Sequence, residues 1–203
     1  MKIRLGALRR VIREALLTEA AKGVTAAGKL ALFVDTQNEV EVRTYLLYDP
    51  VKLEKQLRGD NITVAAAVGV VMVNMFSDSE QWGAKEVEFS AAQKGYGPMM
   101  YDIAMADVGG LIPDRKEVSD AARGIWSFYK NNRTDVEKKQ IDDSDPDDPL
   151  NYAYFLKSGP NVSTLKANHS RALPTLLKVS AESGRDLDFF AIAQMFADQQ
   201  YDG

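Results

Sequence analysis

The tightest constraint on the fold lies between Val87 and Asp102, in the run Val87-Glu88-Phe89-Ser90-Ala91-Ala92-Gln93-Lys94-Gly95-Tyr96-Gly97-Pro98-Met99-Met100-Tyr101-Asp102. An alternating strand enters a glycine-punctuated turn, and a proline then opens an apolar-faced helix. This order gathers free backbone N–H groups and the positive end of a helix dipole at one spot, a ready site for phosphate. Pro98 suits the first helical position, where its missing N–H would have no intrahelical partner. Gly95 and Gly97 permit positive φ and let a ligand approach without a Cβ in the way. Upstream, the alternation over Lys85 to Ala91 predicts Val87 and Phe89 on one face, with Glu86, Glu88 and Ser90 on the other.

Around this unit the chain reads as alternating strands and helices. Lys29 to Asp35 and Val40 to Tyr48 predict two strands around a turn at Thr36 to Glu39. Asp49-Pro50 breaks the sheet, and Val51 to Leu57 predict a short helix ending near Gly59. Ile62 to Phe76 is apolar and rich in valine, which favours a buried strand, with Gly69 marking a bulge or a close approach. Past the turn, Met99, Ile103, Ala104 and Ala106 give the helix an apolar side, and Gly109-Gly110 stop it. Leu111-Ile112 predict a short strand. Ser119 predicts an N-cap for a helix to about Asn131, with Ala122, Ile125, Trp126 and Tyr129 at helical spacing. Asn151 to Lys157 predict a further strand. Leu187, Phe190, Ala191, Met195 and Phe196 predict an amphipathic closing helix.

Here the chain resembles the GNAT acyltransferases, over roughly residues 28 to 157. Their acyl-coenzyme A loop reads Gln/Arg-x-x-Gly-x-Gly/Ala between a strand and the following helix. Ala92-Gln93-Lys94-Gly95-Tyr96-Gly97 matches both glycine positions; Ala92 stands where the family has Gln or Arg, and Gln93 lies one residue later. The resemblance implies an α/β (α+β) fold with a mixed, mostly antiparallel, partly splayed central sheet flanked by helices. It implies direct transfer of an acetyl or other acyl group from acetyl-CoA (acyl-CoA) to an amine acceptor, with no metal. Gln93, Lys94, Gly95, Tyr96 and Gly97 would bind the cofactor. Tyr129 matches the position that protonates the leaving thiolate, with packing on the sheet open beside that role, and a backbone N–H within Glu88 to Ala91 would polarise the carbonyl. From the chain's own polar face, Glu86 or Glu88 would deprotonate the amine, directly or through water. The alternative is a non-catalytic protein of the same fold with a structural or interaction role.

Composition narrows the remaining possibilities. At 203 residues, the expectation is one domain over residues 28–203 with an appendage over residues 1–24. No apolar run approaches the roughly 18 residues of a membrane-spanning helix. The absence of cysteine removes disulfides and thiolate chemistry, and fits a reducing, cytoplasmic setting. A net charge of −4 offers no general attraction to nucleic acid. That charge is uneven. Lys2, Arg4, Arg9, Arg10, Arg13 and Lys22 against Glu14 and Glu19 give residues 1–22 a net +4. Leu5, Leu8, Val11, Ile12, Ala15, Leu16 and Ala20 recur there at helical spacing, predicting an amphipathic basic helix.

This segment, opening Met-Lys-Ile and carrying Leu-Arg-Arg-Val-Ile-Arg-Glu, resembles N-terminal segments of tailed-phage proteins. That resemblance implies a virion partner and cleavage after Leu17-Thr18-Glu19 or Ile12-Arg13-Glu14; a first helix packed on the core remains open beside it, as does a homo-oligomer through the aromatic side of the closing helix. Elsewhere, Asp142 to Asp148 is an acidic loop that lacks the glycine and distal glutamate of an EF-hand, so a solvated loop is expected rather than a calcium site. The lone His169 lies in a polar stretch and is expected at the surface.

Overall fold

β-Branched and aromatic residues build a seven-stranded sheet in the computed structural model of the chain, which describes residues 29–35, 41–59, 64–76, 81–114 and 116–201. The strands are β1 (Ala31–Asp35), β2 (Val42–Tyr48), β3 (Ala67–Asn74), β4 (Lys85–Ala92), β5 (Leu111–Ile112), β6 (Val136–Gln140) and β7 (Tyr152–Leu156). The helices are α1 (Pro50–Arg58), α2 (Gly97–Val108), α3 (Asp120–Asn132), α4 (Val162–Ser183) and α5 (Phe189–Tyr201). The spatial order is β1-β2-β3-β4-β5-β7-β6, antiparallel throughout except for the parallel pair β4–β5. This is the expected α+β architecture, consistent with a GNAT-like arrangement. The basic N-terminal helix, its cleavage sites and the turn at Thr36 to Glu39 lie outside the described residues.

Two cores sandwich the sheet. On one face Met100, Tyr101 and Ile103 of α2 and Trp126 and Tyr129 of α3 pack on Tyr45, Val71 and Val87. On the other, Leu53 and Leu57 of α1, Leu176 and Val179 of α4, and Phe189, Ile192 and Phe196 of α5 pack on Leu46, Tyr48 and Val70. Helix α4 joins the two by running past β1, contributing Leu165 to the first core and so covering that sheet edge. The opposite edge, β6, is short and guarded by exposed Glu137, Lys138 and Lys139.

Three expectations need correction. A β-bulge interrupts β4: Val87 pairs with Val73 and Phe89 with Met72, leaving Glu88 as the extra residue. The bulge inverts the alternation, so Val87 joins the α2 side while Phe89 joins the opposite core. The closing helix is rotated from the expected face; Phe189, Ile192, Ala193, Phe196 and Ala197 are buried, whereas Phe190 and Met195 are exposed. Finally, His169 is half-buried on α4, with its Nδ1 2.9 Å from the Tyr48 hydroxyl and its ring against Phe33, Tyr48 and Phe189. The i+4 geometry of a helix facing the sheet overrides the polar neighbourhood in sequence.

Burial pulls the His169 imidazole below its ordinary value of 6.5. A depressed folded value means that the fold prefers the neutral ring. The stability it contributes is therefore present above the ordinary value and lost as pH falls through the folded one. Wild-type protein should lose more thermal stability between pH 7 and 5 than His169→Gln, as measured by melting curves across that range. Parallel curves would remove His169 as the cause.

Candidate functional site

β5 follows β4 only at Lys85↔Leu111 and Glu86↔Ile112, and beyond that point the two strands part. The bulge at Glu88 starts where they separate, in keeping with the extra bend and twist that bulges impose. Lys85 N–H donates to Gly110 O on the β5 side (2.9 Å), whereas Gln93 N–H donates to Val68 O on the β3 side (2.8 Å). Strand alternation back from Gln93 turns the backbone N–H and C=O of Ser90 and Ala92 toward the gap. The gap is a cleft of about 590 Å³, walled by Val87 to Ala92, Gly97, Met100 and Tyr101 on one side and by Asp114, Glu117 to Ser119, Ala121, Ala122, Ile125 and Trp126 on the other. Gln200, near the end of α5, also reaches it.

Two helix starts face this cleft. Gly95 takes the left-handed turn (φ 89°) that brings the chain from β4 into α2, and no side chain caps α2 at Tyr96. Gly97 holds α2 close to α3: a Cβ there would lie 2.8 Å from Ile125 Cδ1. Its smallness therefore serves helix packing at the cleft wall as well as access. Ser119 caps α3, its hydroxyl accepting from Ala122 N–H at 3.3 Å.

Of the residues expected from sequence, Glu88 and Gly97 line the cleft. Glu88 is exposed, and its Oε1 accepts from Asn74 Nδ2 at 2.8 Å. Gln93 turns back to donate to Ala67 O (2.6 Å), tethering the turn to β3. Lys94 is exposed and Tyr96 packs on the first core, and neither they nor Gly95 is among the cleft-lining residues. Tyr129 is fully buried beneath α2. Its single O–H is shared between Pro98 O (2.8 Å) and the Asp102 carboxylate, which Arg133 also grips at 3.1 Å. Burial, with the neighbouring Asp102, raises the Tyr129 phenol well above its ordinary range. Burial likewise raises the Asp102 carboxyl, against the opposing pull of Arg133. This group fastens the start of α2 from below and does not face the cleft.

The cleft floor holds a pair that sequence reasoning missed. Ser90 Oγ and the Tyr101 hydroxyl lie 2.7 Å apart, with Tyr101 edge-on to Trp126 (ring centroids 4.7 Å). Without the bulge Ser90 would face away from α2. The available signal was a hydroxyl on the strand and another one turn into the helix, flanking the glycine turn.

The acidic loop is braced by its own hydrogen bonds. Asp142, Asp145 and Asp148 accept from backbone N–H groups of Ser144, Asp147 and Leu150, and Tyr152 donates to Pro146 O. Among the described residues no group of His, Asp or Glu is placed to hold a metal ion, and no helix is long and apolar enough to cross a membrane. A scan against protein-family models finds no match, and neither do searches of curated proteins and of solved structures.

Proposed function

We propose that this chain transfers an acyl group from an acyl-coenzyme A thioester directly to an amine. The observation that carries the reading is the open β4 edge, where Ser90 and Ala92 present backbone donors and acceptors to an extended cleft ending at the α2 start. An amide-bearing arm can lie along such an edge as a strand would, while a phosphate meets the backbone N–H groups of Gly95 and Gly97, that of Tyr96 being donated to Gln93 O. Lys94 is the cation beside that turn. The amine lone pair forms the new C–N bond, the C–S bond breaks with its pair on sulfur, and the proton lost by the amine balances the one that the thiolate gains. Glu88, Asp114 and Glu117 rim the cleft, which attracts an acceptor arriving as an ammonium ion and supplies a carboxylate to take its proton.

One observation favours the second reading, a non-catalytic protein of the same fold that holds a partner such as a virion component. Among the described residues the cleft lining carries those three carboxylates and no Lys or Arg, an unfavourable field for a polyphosphate. Calorimetric titration with acetyl-CoA separates the two, with saturable binding below millimolar concentration expected for the enzyme. Gly95→Val should weaken that binding at least about tenfold, because a β-branched residue resists positive φ. Circular dichroism should show the fold retained. An absence of heat at millimolar acetyl-CoA would discard the acyltransferase reading.

A further inference from the structure

Ser90 and Tyr101 share one hydrogen bond but own two hydroxyl hydrogens. Whichever oxygen donates to the other, one O–H is left over, and neither residue has a second polar partner among the described residues. Tyr101 is 1% exposed, so its O–H must find an acceptor within the protein, whereas Ser90 faces the cleft. Tyr101 is hemmed in by the rings of Trp126 and Tyr129, whereas Ser90 is only half-buried on the open strand edge. The phenol therefore donates to Ser90 Oγ, and the serine proton points into the cleft.

We propose that the Ser90 hydroxyl, held and polarised by Tyr101, is the side-chain donor that receives the ligand's acyl carbonyl oxygen and stabilises the negative charge that builds there during transfer. This rests on the acyl-transfer reading. Ser90 is the group that touches the ligand and Tyr101 is a positioning residue behind it. Burial pushes the Tyr101 phenol up to about 12, against the Ser90 hydrogen bond, so it remains a neutral donor across the working pH range. A donor aimed at developing charge acts on the transition state more than on the bound substrate. No proton leaves the pair, and the amine and thiolate protons balance as described above.

Acetyl-CoA labelled with ¹³C at the carbonyl carbon gives a direct test by NMR on full-length protein, alongside steady-state kinetics with an amine acceptor. A hydrogen bond to the carbonyl should shift its bound resonance downfield, and Ser90→Ala should move it back toward the free position. In the same variant kcat should fall on the order of 100-fold with KM changed by less than about threefold. Tyr101→Phe should give a smaller loss, about tenfold, and Ser90→Thr should restore part of both signals. Wild-type protein that binds acetyl-CoA with no carbonyl shift overturns the proposal and spares the acyltransferase reading, as does a Ser90→Ala variant with unchanged shift and kcat. Should Ser90→Ala not fold, Tyr101→Phe decides the matter by the same shift. If wild-type protein does not bind acetyl-CoA, both fall together.

Discussion

Replacing Arg133 with methionine should lower the free energy of unfolding by about 3 kcal/mol. Arg133 donates to both oxygens of Asp102 and, through Nη2, to Asp135 at 2.6 Å. Methionine keeps much of the side-chain volume but leaves two carboxylates facing each other with no cation between them. The expected loss sits at the low end for breaking a buried pair, because Arg133 and Asp102 retain 15% and 20% exposure. Urea unfolding measures it, and a change below about 1 kcal/mol would mean that water already screens the group. The deficit should also depend on pH with a definite sign. Asp102 already lies above its ordinary value of 3.8 in the fold, and losing Arg133 raises it further. A raised folded value favours the neutral carboxyl, so the gap between variant and wild type should narrow as pH drops from 7 toward 4. The same group holds Pro98 O through Tyr129, so on the proposed acyl-transfer reading the variant should also bind acetyl-CoA more weakly.

Sequence patterning revealed the parts of the fold where one physical signal dominates. The strand–turn–helix at Val87 to Asp102, the short strand Leu111–Ile112 and the Ser119-capped helix all read directly, because glycine, proline and cap chemistry act locally. β6 did not. Val136–Gln140 is a polar edge strand whose pairing with β7 supplies what its side chains lack. Helix α4 was equally hidden: Pro174 lies inside it, and Ser163, Thr164, Asn168, His169 and Ser170 dilute its apolar stripe. Only Leu165, Leu176 and Val179 among its apolar residues are fully buried, Leu165 in one core and Leu176 and Val179 three turns later in the other.

The cleft was half legible. Gly95 and Gly97 announced a backbone turn, and their structural roles follow from steric rules. Which side chains meet across the gap depends on the bulge at Glu88, a non-local consequence of β3 pairing that no alternation pattern records. That one extra residue moves Ser90 onto Tyr101. Tyr129 shows how much partners depend on the third dimension: its place on α3 is legible in sequence, whereas its contacts with Pro98 O and Asp102 beneath α2 are not.

Trp126→Ala should be the most damaging single change in the first core, costing about 3–5 kcal/mol. Trp126 is 1% exposed, stacked on Tyr154 with ring centroids 5.1 Å apart and edge-on to Tyr101. Its loss opens a void that runs into the cleft, where water can enter. Partial hydration should keep the cost nearer the lower bound, and denaturant unfolding would read it; a loss under about 1 kcal/mol would show that α3 collapses onto the sheet without strain. Trp126→Phe, which keeps a ring against Tyr101, should cost about half as much. Function should separate the two variants more sharply than stability does. Without the indole, Tyr101 loses the wall that orients it toward Ser90, so Trp126→Ala should behave in the ¹³C experiment as Tyr101→Phe does even under conditions where it is fully folded. With phenylalanine in place that orientation survives, and the carbonyl shift should survive with it.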